Sequence, residues 1–129
     1  MKTLFLFILL FFSLSITAVF SQSDSLQILS VEHFNRVLHL NSNAELIDVS
    51  SAKEFKKAHI FGAYSAPTAK DLYQIIDSLG TSKVYLLYCK YGDRSVDAGK
   101  MIFEKYHIPV CSLEDGLDAW LQAGKEVEN

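Results

Sequence analysis

Residues 84–95 of the chain read VYLLYCKYGDRS, and these residues carry the clearest indication of the fold class. The run from Val84 to Tyr88 is continuously apolar and aromatic, which is typical of a central strand in a parallel sheet. Cys89 follows directly, and a loop holding Gly92 leads into residues 96–106, which have the pattern of a helix. Ligands bind at the carboxyl ends of parallel strands, so the stretch predicts an α/β fold with Cys89 at the binding edge.

The rest of the chain alternates short apolar runs with amphipathic stretches. The apolar runs predict four further strands, at residues 26–29, 45–49, 63–66 and 110–113. The amphipathic stretches predict four further helices, at residues 31–40, 51–57, 69–79 and 116–122, and Ser51 and Glu54 have the spacing of a capping box at the second. Strands separated by helices predict right-handed crossovers and a parallel sheet covered on both faces.

The first residues of the chain differ sharply from the rest. Met1-Lys2 is followed by an apolar run from Leu4 to Phe12, then by residues 13–20 and a small residue at Ser21, which is the anatomy of a secretory signal peptide. We therefore predict a signal peptide at residues 1–21 and one domain at residues 22–129, exported to the periplasm or secreted. The alternative is an uncleaved segment that anchors the protein in the membrane through residues 4–20.

Charge and cysteine content narrow the classes of partner. The chain has 12 basic and 15 acidic side chains, and removal of Lys2 with the signal peptide leaves 11 basic residues and a formal charge of −4. Nucleic acid is therefore not expected as a partner, because proteins that bind it carry basic stripes. The two cysteines, Cys89 and Cys111, fit either one disulfide or none, since a domain of this size can bury a core without a staple.

The loop after the central strand has the features of an anion cradle around a reactive sulfur. A cysteine nucleophile reacts as the thiolate, which positive potential favours. Loop amides and the positive end of the following helix supply such potential, and Gly92 permits the tight turn. Lys90 and Arg94 add positive charge, and the planar guanidinium suits an anionic oxygen group. Four residues separate Cys89 from Arg94.

Three stretches in order resemble the rhodanese, or thiosulfate sulfurtransferase, family. The first runs from Leu46-Ile47-Asp48-Val49 through Ala58-His59-Ile60-Phe61-Gly62-Ala63, the second is the loop Cys89–Ser95, and the third is Leu113–Trp120. Cysteine-based phosphatases are similar, but they have five residues between cysteine and arginine. The six-residue loop here has the sulfurtransferase size.

The resemblance implies a five-stranded parallel sheet flanked by helices on both faces. It also implies that Cys89 is a nucleophile that takes sulfane sulfur from thiosulfate or another small donor as a persulfide. A thiol, cyanide or a protein acceptor would then remove that sulfur, with no metal or organic cofactor. Asp48 would support the edge of the site, and the substrate-binding residues would be Lys90, Tyr91, Gly92, Asp93, Arg94 and Ser95.

Several alternatives stay open at this point. The family often has arginine where this chain has Ser50, and a Gly-Gly pair where it has Glu114-Asp115-Gly116. These departures leave room for a non-catalytic persulfide carrier or protein-docking module.

Arg94 could brace the loop, Lys90 and Tyr91 could be rim residues, and Ser95 is also expected to cap the next helix. Core packing is expected for Cys111, with a disulfide to Cys89 as the alternative. His59 is expected to position a turn. The other three histidines, His33, His39 and His107, do not have the spacing of metal ligands, so no zinc site is predicted.

Overall fold

The computed structural model describes residues 26–129. The predicted signal peptide at residues 1–21 lies outside the described residues. Within residues 26–129, no helix is both long and apolar enough to cross a bilayer.

Five strands alternate with five helices along the chain. The strands are β1 (Leu26–Leu29), β2 (Ala44–Asp48), β3 (Tyr64–Ser65), β4 (Val84–Tyr88) and β5 (Val110–Leu113). The helices are α1 (Val31–Leu40), α2 (Ala52–Lys57), α3 (Ala69–Leu79), α4 (Asp93–Tyr106) and α5 (Gly116–Gln122). Every predicted element is confirmed. The bounds differ mainly in β2, which lies one residue earlier than predicted, in β3, which is shorter, and in α4, which begins earlier.

The sheet has the strand order β1-β5-β4-β2-β3, and all of its pairings are parallel. Strand β4 therefore lies at the centre, with Leu87 opposite Ile47 of β2 on one side and opposite Ser112 of β5 on the other. The predicted α/β class and the five-stranded parallel sheet are both confirmed. The central position of β4 explains why its sequence is apolar without interruption, since both of its faces are covered.

The core is divided into two layers by the sheet. Tyr85 and Leu87 of β4 face one layer, together with apolar residues of α3 and α4, and Leu86 and Tyr88 face the other, with Phe34 of α1 and Trp120 of α5. All four of these β4 side chains are completely buried. Because both layers fix β4, the backbone that leads into Cys89 is held rigidly in place.

Candidate active site

Cys89 lies directly after the central strand, at the carboxyl edge of the sheet, and its side chain is completely buried. The Gly92 amide donates a hydrogen bond to the sulfur at 3.1 Å. The thiol in turn points at the Ser95 hydroxyl at 3.6 Å and at a carboxylate oxygen of Asp93 at 4.0 Å. The predicted cradle is therefore present in part, because one amide among residues 90–95 is bonded to the sulfur.

The conformation of Gly92 brings the helix α4 close to the sulfur. Gly92 has a φ of 101°, in the left-handed region, and α4 begins immediately after it at Asp93. This start is three residues earlier than predicted, and the expectation that Ser95 caps the helix is wrong. Ser95 instead lies inside the first turn, completely buried, where its hydroxyl donates to the Gly92 carbonyl at 3.0 Å and pairs with the Ser112 hydroxyl at 2.8 Å.

Helix α5 holds the loop from the opposite side. The Leu117 amide donates to the Cys89 carbonyl at 2.8 Å, and the Asp118 amide donates to the Lys90 carbonyl at 3.0 Å. Gly116 makes this approach possible, since a Cβ atom there would lie 2.3 Å from the Cys89 carbonyl oxygen. Leu113–Trp120, the third stretch that carries the resemblance, is therefore hydrogen-bonded to the backbone of the cysteine loop.

The Arg94 side chain reaches helix α2 and not the sulfur. Its two terminal nitrogens donate to the two carboxylate oxygens of Glu54 at 2.7 and 3.0 Å. The guanidinium and the Ser51 amide hold the pKa of Glu54 down, at about 2, and Glu54 holds the pKa of Arg94 above its ordinary value. The geometry fits the alternative in which Arg94 braces the loop, and the charge of Arg94 is neutralised by the Glu54 carboxylate.

Asp48 is buried at the end of β2, opposite Tyr88 in the sheet register. One carboxylate oxygen accepts hydrogen bonds from the amide and the hydroxyl of Ser50. The other oxygen has no hydrogen-bond partner among the residues that the structure describes. The Tyr88 hydroxyl accepts a hydrogen bond from the Ile60 amide at 2.9 Å. Burial raises the pKa of Tyr88, and the nearby Asp48 charge raises it further. Asp48 and Ser50 thus shape the edge beside the loop.

Lys90 and Tyr91 form the exposed rim of the loop. The Lys90 ammonium lies 5.1 Å from the centre of the Tyr91 ring, and the Tyr91 side chain is 60% exposed. Beside Lys90 is a cavity of about 170 Å³, which has an apolar wall and four charged side chains. Its lining residues are Ser50, Glu54, Lys57, Ala58, Lys90, Leu117, Asp118 and Leu121.

The remaining sequence candidates have structural roles. Cys111 is half-buried against the Trp120 side of the core, and burial raises its pKa, as core packing predicts. The His59 ring stacks on Phe55 and bonds the Phe55 carbonyl and Glu128, so it positions a turn as expected. No group of three or more His, Cys, Asp or Glu side chains within residues 26–129 is arranged to hold a metal ion.

The sequence did not indicate two of the residues that complete the site. Ser112 lies in β5, and its contact with Ser95 depends on the pairing of β5 with β4. Glu54 has the spacing of a capping residue, and its second role as the partner of Arg94 depends on how α2 packs beside α4. Neither tertiary contact has a local signal in the sequence.

The chain is similar to known proteins in sequence and in fold. A family model described as the rhodanese-like domain matches residues 32–123. An uncharacterized protein of Synechocystis sp. is 36% identical over 80 residues, which are 61% of this chain and 44% of that protein, so the chain matches less than half of that relative's length.

Solved structures share the fold at low sequence identity. The solution structure of a rhodanese-like domain from Anabaena sp. superimposes with a TM-score of 0.71 at 20% identity, covering 79% of this chain and 78% of that chain. A thiosulfate sulfurtransferase from Pseudomonas aeruginosa superimposes with a TM-score of 0.69 at 24% identity, covering 80% of this chain and 19% of that chain. With its family model matched over most of its length, the chain belongs to the rhodanese-like domain family, whose members handle sulfur donors and acceptors.

Proposed function

We propose that the protein is a sulfurtransferase that moves sulfane sulfur, from thiosulfate or another donor to a thiol or cyanide acceptor, through a persulfide on Cys89. The observation that carries the proposal is the position of the Cys89 sulfur. It lies at the carboxyl edge of the central strand, bonded by the Gly92 amide and adjacent to the first turn of α4. Positive potential from that amide and helix end favours a sulfur anion.

In the first half-reaction the Cys89 thiolate attacks the outer sulfur of the donor. A new sulfur–sulfur bond forms, and the bond inside the donor breaks, so that sulfite or a thiolate leaves with the electron pair. The terminal sulfur of the resulting persulfide carries negative charge. The Gly92 amide, which already donates to the Cys89 sulfur, is the preorganised donor for it.

In the second half-reaction an acceptor nucleophile attacks the terminal sulfur and removes it. The electron pair of the broken bond returns to Cys89, and the thiolate is regenerated. Both half-reactions are displacements at sulfur, so atoms and electrons balance without a metal or an organic cofactor. Two displacements in sequence predict ping-pong kinetics.

The test is the intact mass of the protein after incubation with thiosulfate or another sulfane donor. We expect the mass of one sulfur atom to be added and then lost when cyanide or a small thiol follows. Cys89→Ser should remain unmodified, and Cys111→Ser should behave as the wild type, because Cys111 lies in the core. Wild-type turnover by the Cys89→Ser variant would refute the proposal.

A competing function is a persulfide carrier or protein-docking module without useful turnover. The pairing of Arg94 with Glu54 favours it, since the guanidinium is then not free to bind an anionic substrate. A persulfide that forms on Cys89 and is not removed by any small acceptor would support this alternative. Release of the sulfur in repeated cycles would support the enzyme.

We also propose that the protein is exported, on the basis of the apolar segment up to Phe20 followed by Ser21. Cleavage after Ser21 would leave a 108-residue chain that starts at Gln22. The intact mass of the protein recovered outside the cytoplasm tests this directly. The uncut mass in the membrane fraction would instead support an anchor formed by residues 4–20.

A further inference from the structure

The Cys89 sulfur has a negative charge beside it. A carboxylate oxygen of Asp93 lies 4.0 Å from the sulfur, on the first residue of α4. At such a separation, like charges repel strongly enough to change a rate by about tenfold, even near the protein surface. A donor that brings negative charge to the sulfur therefore meets repulsion from Asp93, and the repulsion grows with the charge of the donor.

The loop arginine does not offset this charge. Both terminal nitrogens of Arg94 are bonded to Glu54, so the guanidinium already has a carboxylate partner. Ser50, which lines the cavity beside the loop, is neutral, and its hydroxyl is bonded to Asp48. A second negative charge on a donor therefore finds no free positive side chain among residues 50, 54 and 94.

The cavity beside the loop suits an organic group better than a small dianion. Its lining carries two lysines, Lys57 and Lys90, and two carboxylates, Glu54 and Asp118, of which Glu54 is paired with Arg94. Its apolar wall includes Leu117 and Leu121. Its volume is about 170 Å³. It borders the cysteine loop, because Lys90 of that loop is one of its lining residues.

We infer that the donor is an organic sulfane compound with no more than one negative charge, and that Asp93 is the specificity-determining residue that disfavours the thiosulfate dianion. This inference rests on the proposed sulfur transfer. With an organic thiosulfonate, the thiolate of Cys89 attacks the outer sulfur, and the sulfinate leaves with the electron pair of the broken bond. The organic group would occupy the cavity.

The test compares two donors that transfer the same kind of sulfur and differ in charge, thiosulfate with two negative charges and methanethiosulfonate with one. The second-order rate of persulfide formation is measured by intact mass for the wild type, Asp93→Asn and the control Asp97→Asn. Asp97 is an exposed acidic residue on the next turn of the same helix. We expect Asp93→Asn to accelerate thiosulfate about tenfold and methanethiosulfonate about threefold, because half the charge feels half the repulsion.

The ratio of the thiosulfate rate to the methanethiosulfonate rate tests whether Asp93 discriminates by charge. Any effect of Asp93 on the reactivity of the Cys89 sulfur itself cancels in that ratio. A rise of about threefold in the thiosulfate to methanethiosulfonate ratio for Asp93→Asn, with Asp97→Asn unchanged, supports the inference. An unchanged ratio, with persulfide still forming, overturns it and leaves the proposed function standing. Absence of any persulfide with either donor overturns both.

Discussion

At the scale of single residues, Ser95 is the side chain that connects the sulfur to the rest of the sheet. Its buried hydroxyl lies 3.6 Å from the Cys89 sulfur and is bonded to the Gly92 carbonyl and to Ser112. A buried hydroxyl needs such partners, because an unpaired polar group in the core costs free energy. The pair with Ser112 therefore fixes the first turn of α4 against strand β5.

Replacing Ser112 by alanine tests this connection. The Ser95 hydroxyl loses its partner on β5, and we expect the free energy of unfolding to fall by about 1–2 kcal/mol. Urea denaturation measures the change. The matched control is Ser42→Ala, since Ser42 is exposed in a turn, and it should alter stability much less. Equal effects of the two substitutions would show that the buried pair contributes nothing.

At the scale of elements, the Glu54–Arg94 pair links α2 to α4 and thereby supports the loop between β4 and α4. The pair lowers the pKa of Glu54 to about 2, from 4.5. A lowered pKa in the folded state stabilises the fold above pH 4.5, and this stabilisation is lost as the pH falls towards 2. Both side chains are about a third or more exposed, so solvent screens the pair.

The predicted consequence concerns Glu54→Gln. At pH 7 we expect it to lower the free energy of unfolding by no more than about 1 kcal/mol, and the difference from the wild type should shrink as the pH falls below 4.5. Urea denaturation at pH 7, 4.5 and 3 measures this trend. Glu104→Gln, at an exposed position of α4, is the control and should show no such trend. A difference that grows at low pH would contradict the assignment.

The contact of α5 with the cysteine loop depends on close approach at Gly116. A Cβ atom there would lie 2.3 Å from a backbone oxygen, and the φ of 60° is in the left-handed region. Gly124 has a similar φ of 74°, but a Cβ atom there would project into open space. The two glycines share the conformational requirement and differ in the space around them.

We therefore expect Gly124→Ala to cost about 1 kcal/mol of unfolding free energy, from the left-handed conformation alone. Gly116→Ala should cost about 3 kcal/mol or more, because the helix must also move away from the loop. It should also slow persulfide formation on Cys89, which Gly124→Ala should leave unchanged. Denaturant unfolding and the rate of mass increase measure the two effects. Similar costs at both glycines would contradict the close approach.

The sequence predicted elements well where one local signal sufficed. The capping residues Ser51 and Glu54 mark the start of α2, and Gly80 ends α3 as expected. The start of α4 differs from the prediction because a left-handed Gly92 lets the helix begin at once, and residue type does not reveal that φ. The position of Cys89 at the edge of the sheet was predictable for the same reason as β4 itself, since an uninterrupted apolar run ends at Cys89.

At the scale of the whole molecule, the site joins three segments that are distant in sequence. The sheet register places Asp48 opposite Tyr88 and Leu87 opposite Ser112, so the ends of β2, β4 and β5 meet at one edge. The alternation of strands and helices along the sequence predicted this edge, with Cys89 at it. It could not predict which side chains pair across the edge, as Glu54 does with Arg94, because those contacts depend on helix packing.

The same register determines whether Cys89 and Cys111 can form a disulfide. Cys111 is opposite Leu86, and Cys89 lies three residues further along β4, which is about 10 Å along the strand at the usual rise per residue. A disulfide needs Cα atoms no more than about 7 Å apart. Both cysteines are free in the structure. The alternative of a Cys89–Cys111 disulfide is therefore incompatible with this sheet.

We expect the folded protein to form no internal disulfide when it is treated with oxidised glutathione, even though such an oxidant favours disulfides between thiols that can approach each other. Cys89 should form only a mixed disulfide, and at the same rate in the Cys111→Ala variant, because Cys111 cannot resolve it. Intact mass distinguishes the glutathione adduct from the loss of two hydrogens. The same treatment in urea should permit the internal disulfide, since the sheet no longer separates the thiols. An internal disulfide in the folded protein would require β4 and β5 to shift by about three residues, and would refute the register.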